Sequence, residues 1–579
     1  MPRGFHRRHP LLEREDLDMP LRRSLLKAGV ATSGGALAAI LLARGGLCAG
    51  NDAGDALKSG NNRAPPQSPQ LEFVNVADFN AIGDGDSANA EANTEAIQTA
   101  LNTGKNVFLG DSSAVFALAA PLKMHSQQRL YAEGATLLAS RRMSQIVMAA
   151  DGVTIEGVAF DCNNTQPENG IPIEASGAVY GISIRDVSNC TLRRCSFTRY
   201  KRGVSITSSA RGTKCGDHLL EDCEAIAGFT WPNWRSGNEQ HGAYVGSEAQ
   251  GVVRSIAEYG NAEREANDVS DIRFVNWRAQ EGQYGLALHR CSRISVLGGE
   301  FRQMSRAISI QHQSNNVTVS GVLVENTDSA GIHMAQGAHK ISVVGNRISG
   351  TMSNDNAGVQ GYYGVREVLV ANNILDSKFD SWDGGGAESL RAPGAAIRFG
   401  QQAQDITIRD NIIRGFRWGV LLKSTIYEDA IKPSDLNYYF TGVRNIRVSR
   451  NRISGDYFSG RSGFKQPMRK NKTFGVVVAQ SAHWEDISRG GWNIGEITIS
   501  ENTVSNTGTA YAASKVVVRK WGNEAGFGDE AIRLQDNEAF DADRDYEALG
   551  PINRRAVTSS GNSWANENLQ PENCTNPES

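Results

Sequence analysis

Seven short segments between residues 241 and 424 carry side chains that can move protons and hold anions. They are HGAYVGS (241), YGLALHR (284), RAISIQH (306), AGIHMAQ (330), AGVQGYY (357), AAIRFGQ (395) and WGVLLKS (418). With the second residue of each taken as zero, positions +1 and +3 are mostly apolar. Positions −1, +2 and +4 hold His241, Tyr244, Tyr284, His289, Arg306, Gln311, His333, Gln360, Arg398 and Lys423, and His312 follows Gln311 directly. Alternate side chains of a strand share a face, so this set is expected on one solvent-facing side. It suits proton abstraction beside a sugar carboxylate, as in β-elimination or epimerisation of a uronic acid. Arg398 and Lys423 would neutralise the carboxylate and the charge that develops on it. His289 or His333, with an ordinary imidazole pKa near ~6.5, would take the proton, and Tyr244 or Tyr284 would deliver one to the leaving oxygen. His241, Arg306, Gln311, His312 and Gln360 would hold substrate. Trp231 and Trp234, in GFTWPNWRSGNEQ (228–240), would stack on sugar rings as a groove wall.

Other readings stay open. A glycoside hydrolase needs two carboxylates flanking the bond, and these positions hold no Asp or Glu. A non-catalytic glycan-binding or envelope scaffold would keep the aromatics without needing the proton carriers. Asp376, Asp380 and Asp383, beside a Gly-rich bend, supply hard oxygen ligands of the kind calcium takes, although their spacing matches no defined calcium loop. Calcium is the one cofactor the sequence suggests. His218, His339 and His483 sit at bends or insertions and are expected to be structural.

The segments must be positioned by something that repeats. A second motif, apolar at its second, fourth and ninth places, recurs eleven times, from GVTIEGVAF (152) through NCTLRRCSF (189), KISVVGNRI (340) and NIRVSRNRI (445) to EITISENTV (496). Alternation over four or five residues is a strand signal. The shortest spacing is 22 to 24 residues, half of what a propeller blade of roughly 40–50 residues needs. Short strands without helices between them bury their apolar faces only by stacking. The expected fold is therefore all-β: a right-handed parallel β-helix solenoid of eleven or more coils. The seventh motif place holds Cys195 and Cys223 early, then Asn346, Asn373, Asn411, Asn451 and Asn502. Asparagine tolerates left-handed backbone, so this column predicts a ladder of stacked turns. The two cysteines lie on successive coils, within reach of a disulfide. With 61 glycines and only 16 prolines, the composition fits many tight turns. None of the eight cysteines forms a CxxC pair, which excludes zinc-ribbon and thioredoxin motifs. Beyond residue 50 the chain holds 52 basic and 59 acidic residues, a balance that argues against nucleic acid as a partner.

VADFNAIGDGDSANAEANTEAIQTALN (76–102), followed by KNVFLG and LYAEGATLLA, resembles the opening of the pectate-lyase-3-like β-helix superfamily: extended segment, Gly-Asp-Gly bend, capping helix, first coil. The helix also follows from the residues, since Asn93 and Thr94 can cap it and Ala96, Ile97, Ala100 and Leu101 form an apolar face. That superfamily hosts lyases, hydrolases, epimerases and non-enzymes, so the resemblance speaks for fold before activity. Residues 19–49 pair Arg22 and Arg23 with a Gly/Ala-rich apolar run, resembling a twin-arginine signal. Signal and repeats together resemble the twin-arginine-translocated repetitive proteins. The expected organisation is a signal region (1–49), a disordered linker (50–70), the solenoid with its cap (71–505) and a C-terminal cap and tail (506–579). The expected partners are the twin-arginine export machinery and an acidic polysaccharide. The expected location is periplasmic or secreted, as a monomer.

Overall fold

The computed structural model describes residues 72–163, 179–209, 212–227, 240–247, 268–351, 357–377, 394–400, 402–424, 443–455, 473–480, 495–507, 509–514, 532–540, 542, 544–548 and 557–563. They form a right-handed parallel β-helix. One face is a 16-stranded parallel sheet whose strands follow chain order from Phe73–Asn75 to Val557–Ser560, one per coil. The other two faces are joined where Glu300–Gln311 and Leu323–Met334 run round a corner without a break. The stacking continues beyond residue 505, with Thr509–Ser514, Ile532–Gln535 and Glu538–Phe540 in parallel register on preceding coils.

Helix α1 (Ala90–Asn102) lies at the N-terminal end and buries Ala96, Ile97, Ala100 and Leu101, as their spacing predicts. It begins earlier than the expected cap. Asn93 lies inside the helix, fully buried, and its amide accepts from the Ile82 N–H (2.6 Å) and donates to the Ile82 carbonyl (2.9 Å). The side chain thus ties the helix to the extended segment before it, and Thr94 bonds back to the Ala90 carbonyl. A 3₁₀ turn (Ser87–Asn89), capped by Asp86, leads in.

The asparagine column is a continuous hydrogen-bonded ladder. Each amide nitrogen donates to the next asparagine's Oδ1: Asn346 to Asn373, Asn373 to Asn411, Asn411 to Asn451 and Asn451 to Asn502. Asn537 and Asn562 extend it by two rungs. The asparagines themselves do not adopt the left-handed backbone. That conformation falls on the residue before each, at Gly345, Asn372, Asp410, Arg450, Glu501, Asp536 and Gly561. The turn is made one place earlier, which swings the asparagine side chain into the interior to bond the backbone. Cys195 and Cys223 take the same place on earlier coils. Both are buried thiols rather than a disulfide, each directed at a backbone carbonyl (Arg193 and Glu221, 3.4 Å).

Eight strands carry the candidate residues: β1 (Arg202–Ser208), β2 (His241–Ser247), β3 (Tyr284–His289), β4 (Glu300–Gln311), β5 (Leu323–Met334), β6 (Ala357–Gly361), β7 (Ala395–Gly400) and β8 (Trp418–Ser424). They pair in parallel, each with the next. Leu286, Leu288, Ile308, Ile310, Ile332 and Met334 point into the core. A small residue at position zero lets the coils close up. A Cβ on Gly285 would meet the Phe301 ring and stand 2.6 Å from the Ala307 carbonyl oxygen.

Candidate functional site

Register fixes which side chains meet. At position −1, Arg202, His241, Tyr284 and Arg306 lie in line across β1–β4. At position +2, Ser309, His333, Gln360 and Arg398 lie in line across β4–β7. At position +4, His289 pairs with Gln311. The side chains stand opposite the core, as alternation predicts, but Tyr244, Tyr284, His289, Arg306, Gln311 and Lys423 are half-buried and four others are closed to solvent. His241, Gln360, His333 and Arg398 keep 1, 2, 5 and 8% of their surface. Alternation separates them from the apolar interior without exposing them: Tyr244 and Tyr284 pack on His241, and Tyr362 on His333 and Arg398.

The packing begins with His241, whose ring stacks on Tyr244 (5.5 Å) and meets Tyr284 edge-on (5.0 Å). Tyr244 meets His289 (5.3 Å), and His289 meets His312 (4.9 Å), both edge-on. Beyond them Gln311 Nε2 donates to Ser309 Oγ (2.8 Å) and to His333 Nδ1 (3.2 Å). With Nδ1 accepting, His333 carries its proton on Nε2 and acts as a donor. Among the described residues no group hydrogen-bonds the His289 ring. Its lone pair is available. Tyr362 links His333 (6.4 Å) to Arg398, whose guanidinium lies 5.1 Å over the Tyr362 ring. Gln360 turns back to accept from the Ala357 N–H. Lys423 pairs with Gly400 at the far end of the face, on the coil after Arg398. Asp376 lies on a different face, paired with Ser349 and Arg414. Asp380, Asp383, Trp231 and Trp234 lie outside the described residues.

Arg202 was not foreseen. RGVSITS reads as an ordinary soluble strand because Ser and Thr fill its other outer places. The missed signal is that Arg202 shares position −1 with His241, Tyr284 and Arg306. Its guanidinium sits 3.8 Å over the Tyr244 ring and bonds Ser205 Oγ. Arg306 reaches the Tyr284 hydroxyl and Ser329 Oγ, both at 3.4 Å. All these partners are neutral, and neither arginine forms an ion pair with a described acid. No Asp or Glu occupies positions −1, +2 or +4 of β1–β8.

The electrostatics follow. Burial, then His312 and the arginines at 202, 290 and 306, push His289 down to about 3. Burial and Arg290 take His312 to about 4. Burial, with Arg202, His289 and Lys201, holds His241 far below the ordinary imidazole range, and burial, Arg306 and His289 do the same to His333. The four imidazoles are therefore neutral and packed among arginines, and among the described residues no acid stands at the outward positions of β1–β8. The structure bears on the remaining histidines too. His218 is buried, accepts from the Cys190 N–H (3.1 Å) and is pushed to about 4. His339 holds the Gly337 carbonyl at 3.0 Å. Each is thereby tied to backbone of the fold. His483 lies outside the described residues.

Residues 180–348 match the family model described as a right-handed β-helix region. No curated protein matches the chain. Solved structures with a similar course include the A-module of mannuronan C-5 epimerase AlgE6 from Azotobacter vinelandii (11% identity, 84% of this chain and 98% of that one, TM-score 0.39). Others are the surface adhesin PfbA of Streptococcus pneumoniae (14%, 85% and 94%, 0.36) and a family 28 exopolygalacturonase of Yersinia enterocolitica (13%, 86% and 78%, 0.33). At such identities and scores the likeness carries nothing about activity.

Proposed function

We propose that the face formed by β1–β8 binds an acidic polysaccharide after export of the protein and removes the proton beside a uronate carboxylate. The observation that carries this reading is the cluster of neutral imidazoles beside Arg202 and Arg306, neither paired with a described acid, on strands whose outward positions hold no acid. A carboxylate ligand supplies the missing negative charge. It also offsets the share of the lowering that His312 and the arginines add to burial at His289, raising its basicity when substrate is present. His289, its lone pair available, takes the C5 proton. In β-elimination the C5–H electrons form the C4–C5 double bond as the C4–O bond breaks, and Tyr244 protonates the departing oxygen. In epimerisation a proton returns to C5 from the opposite side. His333 and Gln311 hold and orient the sugar, and Arg306 and Arg398 neutralise carboxylates.

A binding-only role is the second reading. What favours it is that His333 is committed to Gln311 and that all four imidazoles have low basicity before ligand binds. The two readings separate on incubation with alginate or pectate. An unsaturated-uronate ultraviolet band or a change in uronate configuration by NMR, lost in His289→Gln, supports the enzymatic reading. Binding with neither change supports the scaffold, and new reducing ends without the band support hydrolysis.

A further inference from the structure

Arg202, His241, Tyr284 and Arg306 occupy one register line on four successive strands. Two cations thus bracket an imidazole and a phenol that touch edge-on at 5.0 Å. Three coil steps separate the backbone positions of the two arginines, about 14 Å at ~4.8 Å per strand. Neither is neutralised by a described acid, and the buried Nε of Arg202 has no acceptor. A 1,4-linked pyranose chain laid along the solenoid advances by about one coil per sugar. Charge on such a chain is therefore met at the first and fourth sugars, while the two between face uncharged rings.

We infer that Arg202 and Arg306 each take one carboxylate of a single acidic glycan lying along the solenoid axis, at sugars n and n+3. This rests on the acidic-glycan reading above and adds a register to it: the ligand turns an acid group to the sheet every third linkage. A charge-assisted, bidentate contact is gained only when the oligomer becomes long enough to bridge both arginines.

The test is calorimetric titration of the full chain with oligogalacturonates and oligomannuronates of two to six sugars. The expected result, in at least one series, is a jump of about tenfold in affinity from tri- to tetrasaccharide, against about twofold for other single-sugar increments. Arg202→Gln should abolish the jump, and Arg202→Lys should retain part of it. An even rise with length, or a jump that survives in Arg202→Gln, overturns the register and leaves the acidic-glycan reading standing. Absence of binding in both series overturns both.

Discussion

Replacing Asn411 by alanine tests how the solenoid holds its site in register. The Asn411 side chain makes four buried hydrogen bonds. Its Oδ1 accepts from the Asn373 backbone N–H and amide, both at 3.0 Å, and its Nδ2 donates to the Val370 carbonyl (3.0 Å) and to Asn451 Oδ1 (2.9 Å). Truncation costs these bonds unequally. Asn451 Oδ1 keeps the Asn411 N–H, and the Asn373 amide keeps the Val343 carbonyl. The Asn373 N–H loses its ladder acceptor in the buried interior. One orphaned buried donor costs about 1–3 kcal/mol, and the other bonds add about 1 kcal/mol each in net terms. A loss of about 3 kcal/mol is expected, somewhat below that sum of about 4–6 kcal/mol because the coil can relax. A solenoid need not unfold in one step, so the assay is native-state hydrogen exchange. Amides of the coils carrying Asn373, Asn411 and Asn451 should lose protection by roughly a hundredfold, while the α1 end keeps its own. Unchanged protection at Asn373, or an equal loss along the whole chain, would refute the ladder as a local tie.

Two further outcomes follow from the same structure. Buried neutral histidines protonate on unfolding before they protonate in the fold, so stability should fall as pH drops from ~6.5 toward their lowered values. For His218, held at about 4, the contribution lost by pH 5 is about 2 kcal/mol; denaturant midpoints of the wild type should fall over this window, and more shallowly in His218→Asn, with parallel curves ruling out that role. Gly285→Ala should destabilise by about 2 kcal/mol or more, since the new methyl meets the Phe301 ring and the Ala307 carbonyl. By contrast, Gly345→Ala, with open space around its Cβ and φ of +68°, should cost only the left-handed strain of about 1–2 kcal/mol; equal melting shifts for the pair would contradict the close coil contact.

The solenoid was legible because its signal is repeated. One strand of alternating residues is ambiguous, but eleven aligned copies leave little else that could bury their apolar positions. Register came with it, so Tyr284, Arg306, His333 and Arg398 could be set on one face from spacing alone. What spacing does not carry is the third dimension around each side chain. Nothing in AGIHMAQ says that His333 is buried with Nδ1 committed to Gln311. Nothing in RGVSITS says that Arg202 reaches across to Tyr244. The same limit explains α1: Asn93 looks like a cap by type, but its partner is the backbone of Ile82, eleven residues earlier.

Abstraction of the C5 proton of a bound uronate by the His289 face is read out by proton exchange with solvent. Alginate or pectate is incubated with the full chain in deuterated water and followed by proton NMR. The C5–H signal should be lost, replaced either by deuterium with changed configuration or by the vinyl resonance of an unsaturated end, with no loss in His289→Gln. Polymer that binds the protein yet keeps every C5 proton through prolonged incubation would contradict it.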